Sequence, residues 1–439
     1  MTSPRVVIVG GGFAGIEAAR ALAKYAETLA PVDIILVDRQ NHHCFQPLLY
    51  QVATAALSPA DIAWPIRSIL NRQPNLRVIM AKVTGVDTQA RIVHTDELDL
   101  PYDYLVLASG VTHAYFGHDE WESVAPGLKQ LEDARHIRAR FLLAFERAEI
   151  ADDEALRRKL LTFVIVGGGP TGVEMAGSMA EVAKETLKSD FREIDPRMSR
   201  IVLIEAGPRI LPALPENLSN YAQRALEKMG VEVLVNTKVT DCDADGVSLG
   251  DTRIDASTIV WAAGVVASPA AQWIHAEHDR AGRIMVAPDL SVPGLQNVFV
   301  AGDLASVKDQ DGKPVPGIAP AAKQMGRYIG RLIAARVAGE TDNKPFVYSH
   351  AGDLATVGRR AAVVKIGRFE LTGFIGWLFW GIAHIYFLIG LRNRFVVAVT
   401  WLWSYLTFRR GARLISTGDN NSVVIPEGAR RSRVNPRSV

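Results

Sequence analysis

Short apolar runs closed by glycine or by an acid recur along the chain and predict its elements. "VVIV" (6–9) enters a glycine-rich turn, "IILVD" (34–38) ends in Asp38, and "YDYLVLASG" (102–110) ends in Gly110. Uninterrupted apolar runs of this length belong to strands buried on both faces of a parallel sheet. Between the first two, "IEAARALAKYA" has the composition of a helix. The same succession then returns: "FVIV" (163–166), a glycine turn, the helical "VEMAGSMAEVAKE", "RIVLIE" ending in Glu205, and "ASTIVWAAG" ending in Gly264. The repeat has the size of a domain, which excludes a solenoid. A further apolar run, "LQNVFVAGDLA" (295–305), ends in Gly302-Asp303 and precedes a polar loop and a helix from about 320 to 338.

The turns carry chemistry. Gly10, Gly12 and Gly15 have the G-x-G-x-x-G spacing, and so do Gly167, Gly169 and Gly172. The first glycine permits a tight turn, the second lets backbone approach a pyrophosphate, and the third lets helix and strand pack closely. The amides at the start of the following helix then face the phosphates. Asp38 and Glu205 close the next strands, where a carboxylate accepts hydrogen bonds from a ribose 2′-hydroxyl. The pattern predicts an α/β protein with two nested Rossmann-like dinucleotide-binding domains, and hence two dinucleotides. Glu205 also predicts a preference for NADH over NADPH, whose 2′-phosphate it would repel.

Polarity changes after residue 340. Residues 371–391, "LTGFIGWLFWGIAHIYFLIGL", contain no Asp, Glu, Lys or Arg, a length able to span a bilayer. On a helical wheel Phe374, Ile375, Leu378, Phe379, Ile382, Ile385, Tyr386 and Ile389 gather on one face, with small and polar residues opposite. A second run, 395–408, is too short to cross and carries the polar stripe Thr400, Ser404 and Thr407, followed by Arg409, Arg410 and Arg413. A spanning first helix would put those arginines on the far side, against the positive-inside rule. The pattern therefore predicts amphipathic helices lying in the membrane interface.

The expected division is residues 1–115 and 286–340 for the first dinucleotide domain and 160–285 for the second, inserted in it. A surface-packed helical connector occupies 116–159, a membrane-associating region 341–415, and a disordered tail 416–439. Net charge +2 gives no case for a nucleic-acid partner. Two cysteines, Cys44 and Cys242, exclude a disulfide scaffold and suit a reducing compartment. The first strand begins at once, which predicts a chain without a targeting segment. No histidine pair has metal-ligand spacing with a third donor, so no metal is expected.

With these residues in view, the nested glycine folds plus "NVFVAGDLA" resemble the two-dinucleotide flavoproteins. "NHHCFQPLLYQVATAALSP" (41–59), "IAPAAKQMG" (318–326), "HIYFLIGLRNR" (384–394) and "WLWSYLTFRRGARLI" (401–415) are similar to type II NADH:quinone oxidoreductases. The resemblance implies non-covalent FAD on the first fold, held by Gly10, Gly12, Phe13, Ala14, Gly15, Asp38, Val83, Gly110, Gly302, Asp303 and Ala319, with Gln46 and Pro47 along the isoalloxazine. It implies NADH on Gly167, Gly169, Gly172, Glu205 and Gly264, with Glu174 near the nicotinamide. Glu174 and Gln324 are the expected catalytic tuning residues. Family members often show A-Q-x-x-x-Q near the quinone; here Pro320 replaces the first glutamine and Gln324 supplies the second. The implied activity is electron transfer from NADH to a membrane quinone, ubiquinone or menaquinone, without proton pumping. The implied place is the cytoplasmic face of the membrane, bound peripherally, and the family's habit adds a homodimer. Alternatives of other kinds are an NADH oxidase or peroxidase using Cys44, another quinone-linked flavin reductase, and a non-catalytic NADH sensor.

Overall fold

The computed structural model describes residues 3–340, 344–407 and 410–415. The expected tail 416–439 lies outside the described residues. The chain divides into two units, residues 1–44, 63–112 and 265–351, and residues 45–62, 113–264 and 352–439.

In the first unit a five-stranded sheet runs in the order Val298–Val300, Tyr104–Leu107, Arg5–Val9, Asp33–Asp38, Leu76–Met80. Every neighbouring pair is parallel. Val6, Val7 and Ile8 are wholly buried, as strands covered on both faces require. Helix Phe13–Ala26 follows the glycine turn and packs on helix Ala319–Val337. A Cβ on Gly326 would stand 2.1 Å from the Ala14 carbonyl oxygen, and one on Gly330 2.6 Å from that of Ala18. Small residues on both helices thus bring the backbones together beneath the first turn.

The second unit repeats the plan with a four-stranded parallel sheet, ordered Val231–Leu234, Arg200–Ile204, Thr162–Val166, Thr258–Trp261. Helix Pro170–Glu181 follows its glycine turn and continues as one turn of π-helix, Val182–Thr186. A three-stranded antiparallel sheet (Asp353–Thr356, Ala362–Ile366, Phe369–Thr372) leads into helices Gly373–Phe387 and Leu391–Thr407.

The units differ from the expected division. The connector packs deeply on one face: helix Leu131–Ile150 buries Phe141 and Phe145, whose rings lie 4.9 and 5.4 Å from Phe163 of the second sheet, while Glu132, Arg135, Glu146 and Ile150 are exposed. Arg140, expected to be solvated, donates to the carbonyls of Val124 and Ser257. Residues 45–62 and the C-terminal region group with the second dinucleotide fold, which ends at 264 instead of 285. The reason is packing: the Cβ position of Gly177 lies 2.8 Å from the Gly358 nitrogen, and Trp401 donates to Gln51 at 2.8 Å.

The 371–391 run forms only a fifteen-residue helix, about 22 Å long at 1.5 Å per residue, short of a hydrocarbon core of about 30 Å. Among the described residues no helix is long and apolar enough to cross a membrane. The wheel's two faces separate as expected. Gly376, Trp380 and His384 are buried, while Phe374, Ile375, Leu378, Ile382 and Tyr386 are exposed. Leu391, Phe395, Val399, Leu402 and Leu406 continue an exposed apolar stripe along the next helix.

Candidate functional site

The two glycine turns are built alike. Gly10 has φ +107°, and a Cβ there would sit 2.4 Å from the Ala108 oxygen; Gly167 has φ +109°, with Ala262 at 2.7 Å. A Cβ on Gly15 would fall 1.8 Å from the Gly10 oxygen, and one on Gly172 1.8 Å from that of Gly167. Only glycine fits at these four positions. Gly12 and Gly169 differ, since among the described residues nothing lies within 4 Å of their Cβ positions. The middle glycine therefore faces open space at the head of a helix, the surface a pyrophosphate needs. Both turns fit a dinucleotide by this test.

The acids also repeat. Asp38 accepts from the Gly11 amide at 2.5 Å and from Gln40 at 2.7 Å; Glu205 accepts from Gly168 and Gly207, each at 2.6 Å. Each carboxylate thus holds its glycine turn in shape. Burial raises the pKa of Asp38, and the two amide bonds oppose that rise.

The other first-unit candidates gather at this turn in part. A Cβ on Gly302 would lie 3.3 Å from the Ala14 Cβ, and one on Gly317 3.3 Å from the Asp303 carboxyl carbon. Gly110 has φ +68° and open space around it. Phe13 meets the buried His43 edge-on at 4.8 Å, with the Lys323 ammonium 5.3 Å from its ring. His43 donates from Nδ1 to the Gly11 carbonyl, which leaves Nε2 a buried acceptor without a partner. Burial lowers its pKa to about 4. Sequence reasoning gave His43 no such place beside the first turn. Val83 turns its side chain into the core. Ala319 and Pro320 form the first turn of their helix, where proline is at home. Gln324 is engaged on both sides, donating to the Ser349 carbonyl at 2.8 Å and accepting from the Ser349 amide at 2.9 Å.

In the second unit Gln46 and Pro47 lie in a short 3-10 turn, Gln46 donating to the Lys129 carbonyl. Glu174 is buried at the side of a cavity of about 80 Å³ that Tyr50, Ser178, Trp380, Trp401 and Arg410 also line. Desolvation raises its pKa to about 8; the Thr356 amide, at 3.3 Å, holds the rise back, as does the Trp380 indole N–H, which makes no hydrogen bond of ordinary length. Tyr50, pushed up by burial and by Glu174, keeps its proton. Arg410 donates to the Thr54 carbonyl and the Ser178 hydroxyl and pairs with Glu181 at 3.2 Å. Sequence reasoning missed this cluster, because Thr54, Ser178 and Arg410 meet only in the fold. His384, its pKa lowered to about 4 by burial, bonds the Trp380 carbonyl through Nδ1 and stacks on that ring at 4.1 Å.

Cys44 and Cys242 fall in different units, and burial pushes the Cys242 thiol up to about 12. A low-pKa thiolate pair of the kind disulfide chemistry uses is therefore not available from them.

Comparison with known proteins agrees with the geometry. The pyridine nucleotide-disulphide oxidoreductase family profile matches residues 4–326. The type II NADH:quinone oxidoreductase Ndh of Mycobacterium tuberculosis is 44% identical over 94% of the chain and 90% of its own length. The chain belongs to the type II NADH:quinone oxidoreductases. The NDH2 C-terminal domain profile covers residues 350–410, the segment that closes over Glu174. NdhA of the same organism is likewise 44% identical, over 94% of the chain and 89% of its own length. Among solved structures, NDH2 from Plasmodium falciparum in complex with NADH superposes with TM-score 0.85 at 20% identity, covering 95% of the chain and 100% of that structure; this likeness concerns the fold alone. The enzyme is thus an FAD-dependent NADH dehydrogenase that does not pump protons, with FAD and NADH as its cofactors. The reading based on Cys44 gives way to it.

Proposed function

We propose that FAD binds the first glycine turn, that NADH binds the second, and that Glu174 holds the proton needed when the quinone is reduced. The observation that supports this reading is the pair of turns in which the middle glycine, unlike the other glycines of its turn, has open space at its Cβ position. When bound, FAD supplies a carrier able to take a hydride from NADH and hand two electrons onward. The chain's residues bind, orient and protonate. Gly10 and Gly15 shape the first turn, and the orphan Nε2 of His43 is left free to accept a hydrogen bond beside it. Gly167 and Gly172 shape the second. Glu174, with its pKa near 8, is mostly protonated at neutral pH and can give that proton to a reduced oxygen.

The exposed stripes of helices Gly373–Phe387 and Leu391–Thr407 support attachment to one face of a membrane, where a quinone is available. That face is the cytoplasmic one, where NADH is plentiful. The same reading includes a homodimer, which light scattering tests. The cofactor assignment is tested by colour and kinetics. Gly12→Val should give a colourless protein, while Gly169→Val should stay yellow with a sharply raised KM for NADH. Colour loss with Gly169→Val instead would reverse the assignment.

A further inference from the structure

We propose that Phe116 is the residue that covers the nicotinamide ring of NADH, an inference resting on the placement of NADH on the second glycine turn. The order of strands gives the direction in which a dinucleotide must lie. Glu205 follows strand Arg200–Ile204, the glycine turn follows the adjacent Thr162–Val166, and Gly264 lies just beyond Thr258–Trp261 on the other side. Dinucleotides bind across the carboxyl ends of such strands. With the adenosine ribose at Glu205 and the pyrophosphate at Gly167–Gly172, the nicotinamide half falls toward Gly264.

An aromatic ring already stands there. The Phe116 ring is 71% exposed, and its Cζ would lie 2.4 Å from a Cβ on Gly264. Exposure of a large apolar ring is unremarkable alone, but this one is held out by its surroundings. Phe116 has φ +55° and is followed by Gly117 at +96°, a left-handed conformation that a bulky residue rarely adopts and that tends to mark functional sites. The residues before it are fixed. Trp261 donates to the Ala114 carbonyl at 3.0 Å, and the buried Tyr115 donates to Ala125 at 2.9 Å with its ring 5.2 Å from Trp261. These contacts anchor the chain immediately before Phe116, so the ring is presented from a fixed stretch of backbone. Among the described residues, nothing comes within 4 Å of the Cβ position of Gly110, the equivalent glycine of the first unit. The repeat thus differs at the position where NADH and FAD would differ.

A flat apolar ring beside Gly264 offers the dihydronicotinamide a stacking surface and shields it from water on one side. The adenosine and pyrophosphate contacts lie elsewhere, so removing the ring should weaken only the nicotinamide end. Phe116→Ala, Phe116→Tyr and Gly169→Val are each assayed for flavin content, melting temperature, KM for NADH with a water-soluble quinone, and inhibition by ADP-ribose, which lacks the nicotinamide. We expect Phe116→Ala to raise KM for NADH at least about fivefold, with the ADP-ribose inhibition constant, flavin content and melting temperature unchanged. Phe116→Tyr should restore the parent KM. An unchanged KM in Phe116→Ala overturns the proposal, and so does an equal loss of NADH and ADP-ribose affinity. Gly169→Val should weaken both ligands; if it weakens neither, the placement of NADH fails independently of Phe116.

Discussion

Replacing Glu174 by glutamine should change how the stability of the enzyme depends on pH, and the size of the effect follows from its burial. The carboxyl is held by desolvation at about 8, against an ordinary 4.5. Between those two values the folded protein keeps a proton that the unfolded chain has lost, so stability falls as pH rises, by about 1.4 kcal/mol per unit. Above about 8 both states are ionised and the loss is complete. The amide of glutamine has the same shape and cannot ionise. Glu174→Gln should therefore gain on the parent by on the order of 3 kcal/mol between pH 5.5 and 8, and the difference should level off beyond. Two buried histidines act in the opposite direction. His43 and His384 are held near 4, so stability is lost as pH falls from about 6.5 toward 4. That term is common to both proteins and cancels in their difference. Urea unfolding of parent and variant at pH 5.5, 7, 8 and 9 measures the quantity. A difference that stays constant across this range would show that Glu174 ionises normally, and its role as a proton reservoir would go with it.

Arg410→Met should destabilise the second unit by on the order of 3 kcal/mol, because Glu181 is left partly buried without its cation. Adding Glu181→Leu should recover most of that loss in a thermal melt; no recovery would mean that the pair matters little. Ile375→Asp with Leu402→Asp, both on exposed faces, should lower liposome partitioning at least about tenfold, since each apolar side chain contributes about a kcal/mol to burial in the interface. NADH oxidation with a soluble acceptor should persist; unchanged sedimentation with liposomes would remove the membrane reading. Point substitutions suit this test better than removal of the helices, because Trp380 and Val397 of the same helices are buried.

What could be read in the sequence was whatever is local in the chain. A glycine turn needs only its own residues and the carbonyl beside it, so Gly10, Gly15, Gly167 and Gly172 announced themselves by spacing. The surface stripe of the C-terminal helices did so by period. The depth at which the connector packs was legible only in part. Ala134, Ile137, Phe141, Phe145 and Ala148 fall at helical spacing and are buried, but the arginines between them drew attention to solvent. The Arg410 cluster had no local signal, since Thr54, Ser178 and Glu181 are brought to it by the packing of distant elements. Phe116 was hidden for another reason: nothing in "HAYFGHDE" marks which aromatic residue will take a positive φ.

The repeat itself shows how far local sequence goes. Aligning Gly15 with Gly172 puts Glu17 opposite Glu174, the same residue two places into the same kind of helix. In the first unit Glu17 meets the guanidinium of Arg327 at 3.2 Å, an ordinary ion pair with the neighbouring helix. In the second unit Glu174 meets the Thr356 amide and the Trp380 indole of the C-terminal region, and desolvation governs its charge. One motif thus yields a half-buried, ion-paired carboxylate in one copy and a buried acid in the other. What packs on each helix sets the surroundings of its glutamate, while the two glycine turns have stayed alike. Removing the cover over Glu174, as in a Trp380→Ala variant, should let water reach the carboxyl and lower its pKa from about 8, and the pH dependence of urea unfolding should weaken with it; an unchanged dependence would show that the C-terminal helices do not set the charge of this acid.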